Sequence, residues 1–507
     1  MNRAQPAKTA QRRRAEPDRS LWQAVARSVR DNVIAEFAVQ GLRLAGLVVL
    51  ARALRPEDFG VFRVLLVVSV LVTLSNDAGI PDALIQRKEI TAAHEATAWW
   101  LSVLTALIAS LILYVTAPAI AAAMQMPQLC EDARLLCLPI LLNATAVVAS
   151  ARLRRGLNFS ALAAADVLAE VAFLAVALLL LWRGMPMWSL PGGLAARVTV
   201  RALVIWAVDR QLPRGLPTLQ AARDFAHFAV AAWSSRFAYV LSSNADYLLV
   251  GRLLGSSALG FYSMAWDLLR FVPDRLHRVA GRVTFPTFCL LQDNREELAR
   301  AYLDFYDYMA RVVLPIAVCA AIAAPEILHT VYGPQWTPSA LPMRLLATGL
   351  ALSGLRLGIG SIYYSNNRPA LDLYLHGVRL GLLVVTVVGL SRWGLFGISL
   401  GMSAVESVVS VAGQSLACAL IGLTLRDLVR PTVRALRLAM FCGLSTLAGR
   451  TLAILAGAGS ATELIAAAVP PALVYLWLER SNAADLIARA FAPGARGASI
   501  EVPQPQA

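Results

Sequence analysis

Lysine is nearly missing from this chain. Lys8 and Lys88 are the only two, so a formal net charge of +14 rests almost entirely on arginine. Charge of either sign is scarce, at 15% of 507 residues. The basic residues fall in groups between apolar stretches, and no aromatic-and-basic motif of an RNA or DNA module is present. That pattern reads as membrane topology and argues against nucleic-acid binding. The six cysteines (Cys130, Cys137, Cys289, Cys319, Cys418, Cys442) show no CxxC or metal-ligand spacing, so they read as small hydrophobes of apolar segments. The five histidines (His94, His227, His277, His329, His376) are scattered without a ligand pair. Neither a DxD glycosyltransferase signature nor a Ser-His-Asp spacing occurs, and no loop is long enough for a soluble catalytic domain. The expectation is a protein that is not an enzyme and holds no metal or organic cofactor.

What fills the chain instead is apolar: 58% hydrophobic residues, with a mean hydropathy of +0.61. That is more apolar surface than a soluble protein of this size can hide, so the chain reads as an all-α integral membrane protein. A span needs roughly 20 mainly apolar residues, and by that rule the sequence predicts fourteen, at 33–54, 58–80, 95–119, 129–152, 158–182, 187–209, 225–251, 257–280, 302–324, 338–363, 369–390, 393–422, 432–455 and 460–479. The first thirty residues are polar and basic, with no cleaved signal evident. Residues 19–31 read either as a helix lying on the membrane, with Leu21, Trp22, Val25 and Val29 on its apolar face, or as a solvated tail. The last residues, EVPQPQA, read as a disordered tail. The longest polar-rich connection is expected at about 281–301, with a short amphipathic helix in it.

Two echoes divide the chain. ARALRPEDFGVF carries Arg52, Leu54, Gly60 and Phe62, and GRLLGSSALGFY carries Arg252, Leu254, Gly260 and Tyr262 at the same spacing. Ala117-Pro118-Ala119-Ile120, six residues, then Pro127-Gln128 returns as Ala324-Pro325-Glu326-Ile327, six residues, then Pro334-Gln335. The echoes link the junction of spans 1–2 to that of 7–8, and 3–4 to 9–10. The repeat unit is therefore six helices. An even unit gives parallel repeats about an axis along the membrane normal, the usual build of a two-lobed secondary transporter with its path between the halves. The expected organisation is a basic tail at 1–32, one lobe at 33–210, a second at 223–422, two appended helices at 432–480 and a tail at 481–507.

Arginine placement agrees with that count. With both termini in the cytoplasm, the inner loops hold Arg87 and Lys88, then Arg152, Arg154 and Arg155, then Arg210, Arg214 and Arg223, then five arginines between 275 and 300, then Arg368, and last Arg426, Arg430, Arg434 and Arg437. Outer loops carry only Arg52, Arg55, Arg183, Arg252 and Arg392, and 120–131 and 325–343 have no basic residue. This asymmetry fits the positive-inside rule with both termini in the cytoplasm.

Three strings then carry a family likeness: ARALRPEDFGVF, DAGIPDALIQRKEITAAHEATAWW and APEILHTVYGPQWTPSALPMRLLA. They resemble the bacterial polysaccharide exporters of the Wzx and WzxC type, in the multidrug/oligosaccharidyl-lipid/polysaccharide (MOP) flippase superfamily, and the likeness runs from about residue 30 to about 480. The resemblance implies a fourteen-helix, two-lobed fold. Its implied task is to flip an undecaprenyl-diphosphate-linked oligosaccharide from the cytoplasmic to the periplasmic leaflet, alongside a polymerase and other assembly proteins. Two rival readings stay open: a cation-coupled drug exporter of the same superfamily, and a membrane polymerase or ligase.

Charges inside apolar spans are costly, at about 2.5–3.5 kcal/mol on insertion scales, so those retained mark where function should be sought. Arg43 and Arg236 are the first candidates for a diphosphate, since guanidinium forks onto phosphate oxygens. Arg270 and Arg356 come next, with Gln40 and Tyr239 on the same faces as the first pair. Glu36, Asp77, Asp246 and Asp267 are candidates to hold these arginines when cargo is absent, or to bind a coupling proton or sodium ion. Bland readings compete: Glu36 with Arg43 as a pair within one helix, and Asp77 as a helix cap. Asp166, Glu170, Arg197 and Arg201 read as a structural network, Trp99 and Trp100 as an aromatic belt, and Asp304, Asp307 and Arg311 as side chains that snorkel to the interface.

Overall fold

The computed structural model describes residues 19–77, 84–85, 90–211, 213, 215–356, 358–368, 370–457 and 459–480. No strand occurs among them. In chain order the helices are α1 (Arg19–Ala53), α2 (Pro56–Asp77), α3 (Ala92–Met124), α4 (Leu129–Thr145), α5 (Val147–Arg155), α6 (Phe159–Trp182), α7 (Pro186–Val208), α8 (Leu219–Leu290), α9 (Arg295–Ile322), α10 (Ala340–Leu355), α11 (Ile359–Ser365), α12 (Ala370–Leu390), α13 (Gly394–Ile421), α14 (Leu425–Leu455) and α15 (Ser460–Glu479). Two of these pairs and one long helix reconcile the list with the expected spans. The α4/α5 pair is apolar enough to cross only when taken together and is bent by 42° at its break, and α10 and α11 fall within one apolar stretch, 334–365. Helix α8 is two legs, because Gly255 breaks it with φ 85° and ψ 177°, a conformation that glycine adopts without steric cost.

Side chains start and stop several helices. The Asn158 carboxamide accepts from the Ala161 N–H at 3.2 Å and begins α6, and Asn294 does the same for α9 through Glu297 N–H at 3.3 Å. Thr424 and Asp427 form a capping box on α14. The connection expected over 281–301 is much shorter, since α8 continues to Leu290 and α9 starts at Arg295. Pro286 does not stop α8, as membrane helices tolerate proline more readily than soluble ones. Residues 19–31 continue unbroken into the first span, making α1 35 residues long.

The chain divides into two compact units. The first comprises residues 1–53, 65–122 and 127–240, the second 54–64, 123–126 and 241–507. Within the first, α6 lies against α7 and α1, and α4 against α7. Its core is built from small residues (Ala146, Ala149, Ala165, Ala202) closed by Leu162 and Ile205, which lets helix backbones approach in a solvent that supplies no hydrophobic drive between helices. In the second, α9 packs on α14 and α10, α10 on α13, α12 on α13, and α14 on α15. Its largest core joins Phe288, Tyr302, Phe305, Leu314, Tyr363 and Ile421.

The strip 54–64 shows the first echo as packing within the second unit. A Cβ on Gly60 would overlap the Ser256 carbonyl, and one on Gly260 would overlap the Pro56 carbonyl. The two contacts are related by an offset of 200 in both members. Between them Ser257 donates to Glu57 Oε1 at 3.0 Å, again 200 residues apart. Repeated glycines at a junction therefore make a reciprocal backbone contact. Gly60→Ala and Gly260→Ala should each destabilise the protein by about 1–3 kcal/mol, because the obstacle is backbone. A melting curve in detergent that is unchanged for both variants would contradict this.

Candidate functional site

The second unit contains a buried charge cluster. Arg379 of α12 donates from both Nε and Nη2 to Glu406 Oε1 of α13, each at 2.7 Å. Its Nη1 donates to the Ser242 carbonyl of α8 at 2.8 Å. The other Glu406 oxygen, Oε2, lies 3.6 Å from Nη2 of Arg356, the residue that follows α10. Asp246, wholly buried on the first leg of α8, accepts from the Tyr262 hydroxyl at 3.0 Å through Oδ2. Its Oδ1 is buried with no hydrogen-bond partner. Arg379 and Arg270 both lie within electrostatic reach of that carboxylate.

Helical spacing sets the outer rim. Tyr262, Trp266, Arg270 and Asp274 recur every four residues and share one face of the second leg of α8. Arg270 Nε is 3.6 Å from Asp274 Oδ2, and its guanidinium lies over the Trp266 ring at 5.8 Å. Asp267 forms an ion pair with Arg63 of α2 and accepts from the Tyr247 hydroxyl at 3.2 Å. Arg63 also covers the Tyr247 ring at 4.6 Å, a cation–π contact.

Four arginines (63, 270, 356, 379) thus face four carboxylates (246, 267, 274, 406). Exposure grades across the set. Glu406 and Arg379 show 4% and 8% of their side chains, whereas Asp267 and Asp274 show 40% and 47%. Arg379 and Glu406 satisfy one another, as a low-dielectric interior demands, whereas buried Asp246 keeps one oxygen unpartnered. The rim carboxylates hold their arginines in a more exposed setting, where exchanging one anion for another costs less. Chemically, the rim is suited to trading a carboxylate for a phosphate while the floor stays fixed.

The sequence candidates separate between the two units. Arg270, Arg356, Asp246 and Asp267 come together here. Arg43 belongs to the first unit, where its Nε bonds Glu170 Oε2 at 3.0 Å. Arg197 approaches the same oxygen at 3.9 Å, and Arg201 bonds Asp166 at 2.8 Å. Arg43 is therefore a member of the network read as structural, with Glu170 rather than Glu36 as its partner. Glu36 instead accepts from Gln40 at 3.0 Å, on the exposed side of α1. Arg236 and Tyr239 are exposed on the first leg of α8. The side chain of Asp77 lies outside the described residues. Asp307 and Arg311 do not snorkel: both are largely buried, paired at 2.9 Å, with Arg311 also 3.2 Å from Glu479 of α15.

Arg63, Arg379 and Glu406 were missed by sequence reasoning. Their signal was present, since each is a charged residue within a predicted apolar span.

Helices in this order match a fold known from solved structures. Over 90% of this chain and 99% of the other, the structure superposes on a lipid II flippase MurJ in an inward closed conformation, with TM-score 0.70 and 13% identity. An inward-facing multidrug resistance MATE family transporter of the MOP superfamily matches over 75% of this chain and 94% of the other, with TM-score 0.60 and 16% identity. The fold is that of the MOP flippases. The sequence adds the family: residues 49–341 match the polysaccharide biosynthesis protein family, and the chain belongs to it.

Three curated relatives are similar to it. It is 25% identical to the teichuronic acid biosynthesis protein TuaB of Bacillus subtilis, over 60% of this chain and 64% of that one. It is 29% identical to the succinoglycan biosynthesis transport protein ExoT of Rhizobium meliloti, over 64% and 65%. To the lipopolysaccharide biosynthesis protein WzxC of Escherichia coli it is 23% identical, over 77% and 80%. The matches with the first two span a little under two thirds of their lengths.

Proposed function

We propose that the protein flips undecaprenyl-diphosphate-linked oligosaccharide repeat units across the bacterial inner membrane, from the cytoplasmic to the periplasmic leaflet, by alternating access. Both termini are cytoplasmic in this reading, and the cargo is handed to the polymerase of a surface-polysaccharide pathway. The observation that carries it is the arginine cluster around Arg270 and Arg356. A lipid diphosphate brings at least two negative charges into the membrane, and planar guanidinium groups can receive them bidentately. The family, the flippase fold and the names of the relatives support the same cargo class. A cationic drug is a poor match for the arginine-lined rim, which is why the drug-exporter reading ranks second.

In this proposal Arg270 and Arg356 are the cargo contacts, with Asp274 as the carboxylate that cargo displaces from Arg270. A charge-assisted hydrogen bond is worth about 1.5–3 kcal/mol, so Arg270→Ala should lower polymer export about ten- to hundredfold with the membrane level unchanged. Arg270→Lys should recover only part of it, since ammonium is a point charge. Complementation of a flippase deletion tests both, and full export by Arg270→Ala overturns the assignment. Asp246, with its buried Oδ1 unpartnered, is the carboxylate proposed to take up a coupling proton or sodium ion. Export by Asp246→Asn should no longer respond to collapse of the ion gradient; a retained response removes Asp246 from that role.

A further inference from the structure

Helix α10 ends where Arg356 stands. In a continuing helix the Leu355 carbonyl would accept from the N–H of Ile359, but that N–H bonds the Arg356 carbonyl at 3.2 Å instead. Gly358 turns the chain with φ 92°, pressed so closely on Phe305 of α9 that a Cβ would lie 2.6 Å from its Cε1. The Leu355 carbonyl is thus released at a residue only 3% exposed, and a buried acceptor needs a donor.

Gln414 of α13 supplies it. Its Nε2 donates to the Leu355 carbonyl at 2.7 Å, and the Tyr302 hydroxyl of α9 donates to its Oε1, which fixes the way the carboxamide points. Both side chains are buried. On the far side of the break, the Tyr363 hydroxyl of α11 donates to the Gly413 carbonyl at 2.8 Å. The Arg356 stem lies against the same stretch of α13, its Cδ 3.5 Å from where a Cβ on Gly413 would stand, and its Nη2 is 3.6 Å from Glu406 Oε2. Glu406 and Gln414 are eight residues apart on one face of α13. One holds the guanidinium and the other the backbone from which it projects.

We propose that Gln414 is a positioning residue for the cargo: by clamping the helix break it aims Arg356 at the diphosphate, and so sets the affinity for that group without touching it. The inference rests on the reading of Arg356 as a cargo contact. A clamp that served only the core could close anywhere along α10, whereas this one closes on the carbonyl immediately before Arg356. Bidentate recognition of phosphate needs direction as well as charge, and direction is lost when the supporting shell is loose.

The test is a double-mutant cycle on the purified full-length protein, with binding of undecaprenyl diphosphate read by native mass spectrometry. Gln414→Leu should weaken binding about five- to tenfold. Tyr302→Phe keeps the Gln414 amide and should weaken binding less, in the same direction; it carries the cycle if Gln414→Leu does not fold. In an Arg356→Ala background neither substitution should weaken binding further, whereas in an Arg270→Ala background both should act in full. A folding defect would act equally in the two backgrounds. Equal losses in both, or wild-type affinity in both Gln414→Leu and Tyr302→Phe while Arg356→Ala binds weakly, overturns the inference and leaves the cargo reading standing. Wild-type affinity in Arg356→Ala removes Arg356 from the cargo contacts, and the role of Gln414 falls with it.

Discussion

Arg379→Ala should be among the most damaging single changes in the second unit, because it strands a carboxylate. Glu406 is 4% exposed and receives both of its short bonds from Arg379, so among the described residues its one remaining ion-pair partner would be Arg356 at 3.6 Å. Breaking a buried pair from one side costs about 3–5 kcal/mol, a large share of the stability of most domains. The Ser242 carbonyl on α8 loses its donor at the same time. The variant should therefore be depleted from the membrane. Replacing both partners, Arg379→Met with Glu406→Met, removes the stranded charge and should restore the protein level, since apolar pairs of similar volume are often neutral. Export should stay low in the double variant, because Arg356 then has no carboxylate to position it and Asp246 no neighbouring Arg379. Immunoblots of membranes read the first quantity and surface polymer the second. Wild-type abundance of Arg379→Ala would mean that the pair contributes nothing to the fold; full export by the double variant would confine it to structure.

Joining position 57 to position 257 should stop transport. Ser257 and Glu57 meet across the repeat at 3.0 Å, beside glycines whose backbones touch reciprocally. Alternating access requires equivalent ends of the two repeats to approach in one state and separate in the other. A short bis-thiosulfonate bridge between Glu57→Cys and Ser257→Cys, in a chain whose six native cysteines have been replaced, fixes them together. Export should fall to background on cross-linking and return with reductant. Unchanged export in cross-linked protein would show that this contact never opens during the cycle.

Much of the architecture was legible because the rules of the membrane are simple. Span length follows from bilayer thickness, and the arginine asymmetry counts spans independently of hydropathy. The repeat was visible because Gly60 and Gly260 tolerate no side chain at their contact. Local features were harder. The expected loop at 281–301 is mostly helix, since polar residues at a helix end look the same in sequence as a loop. Partner choice was the least readable. Arg43 has Glu36 two turns away on the same helical face, yet bonds Glu170, 127 residues distant, because tertiary packing brings α1 and α6 together. Arg379 and Glu406 each stand alone in an apolar run, and only the packing of α12 on α13 turns them into a pair.

The most direct measurement is flipping itself, with purified protein in liposomes containing an undecaprenyl-diphosphate-linked oligosaccharide and an enzyme or lectin that reads the sugar on one face only. Wild-type vesicles should expose the sealed-in pool of glycolipid to that probe, and vesicles with Arg270→Ala together with Arg356→Ala should not. If the wild type fails to move the glycolipid, or the double variant moves it equally well, diphosphate recognition by these arginines is wrong.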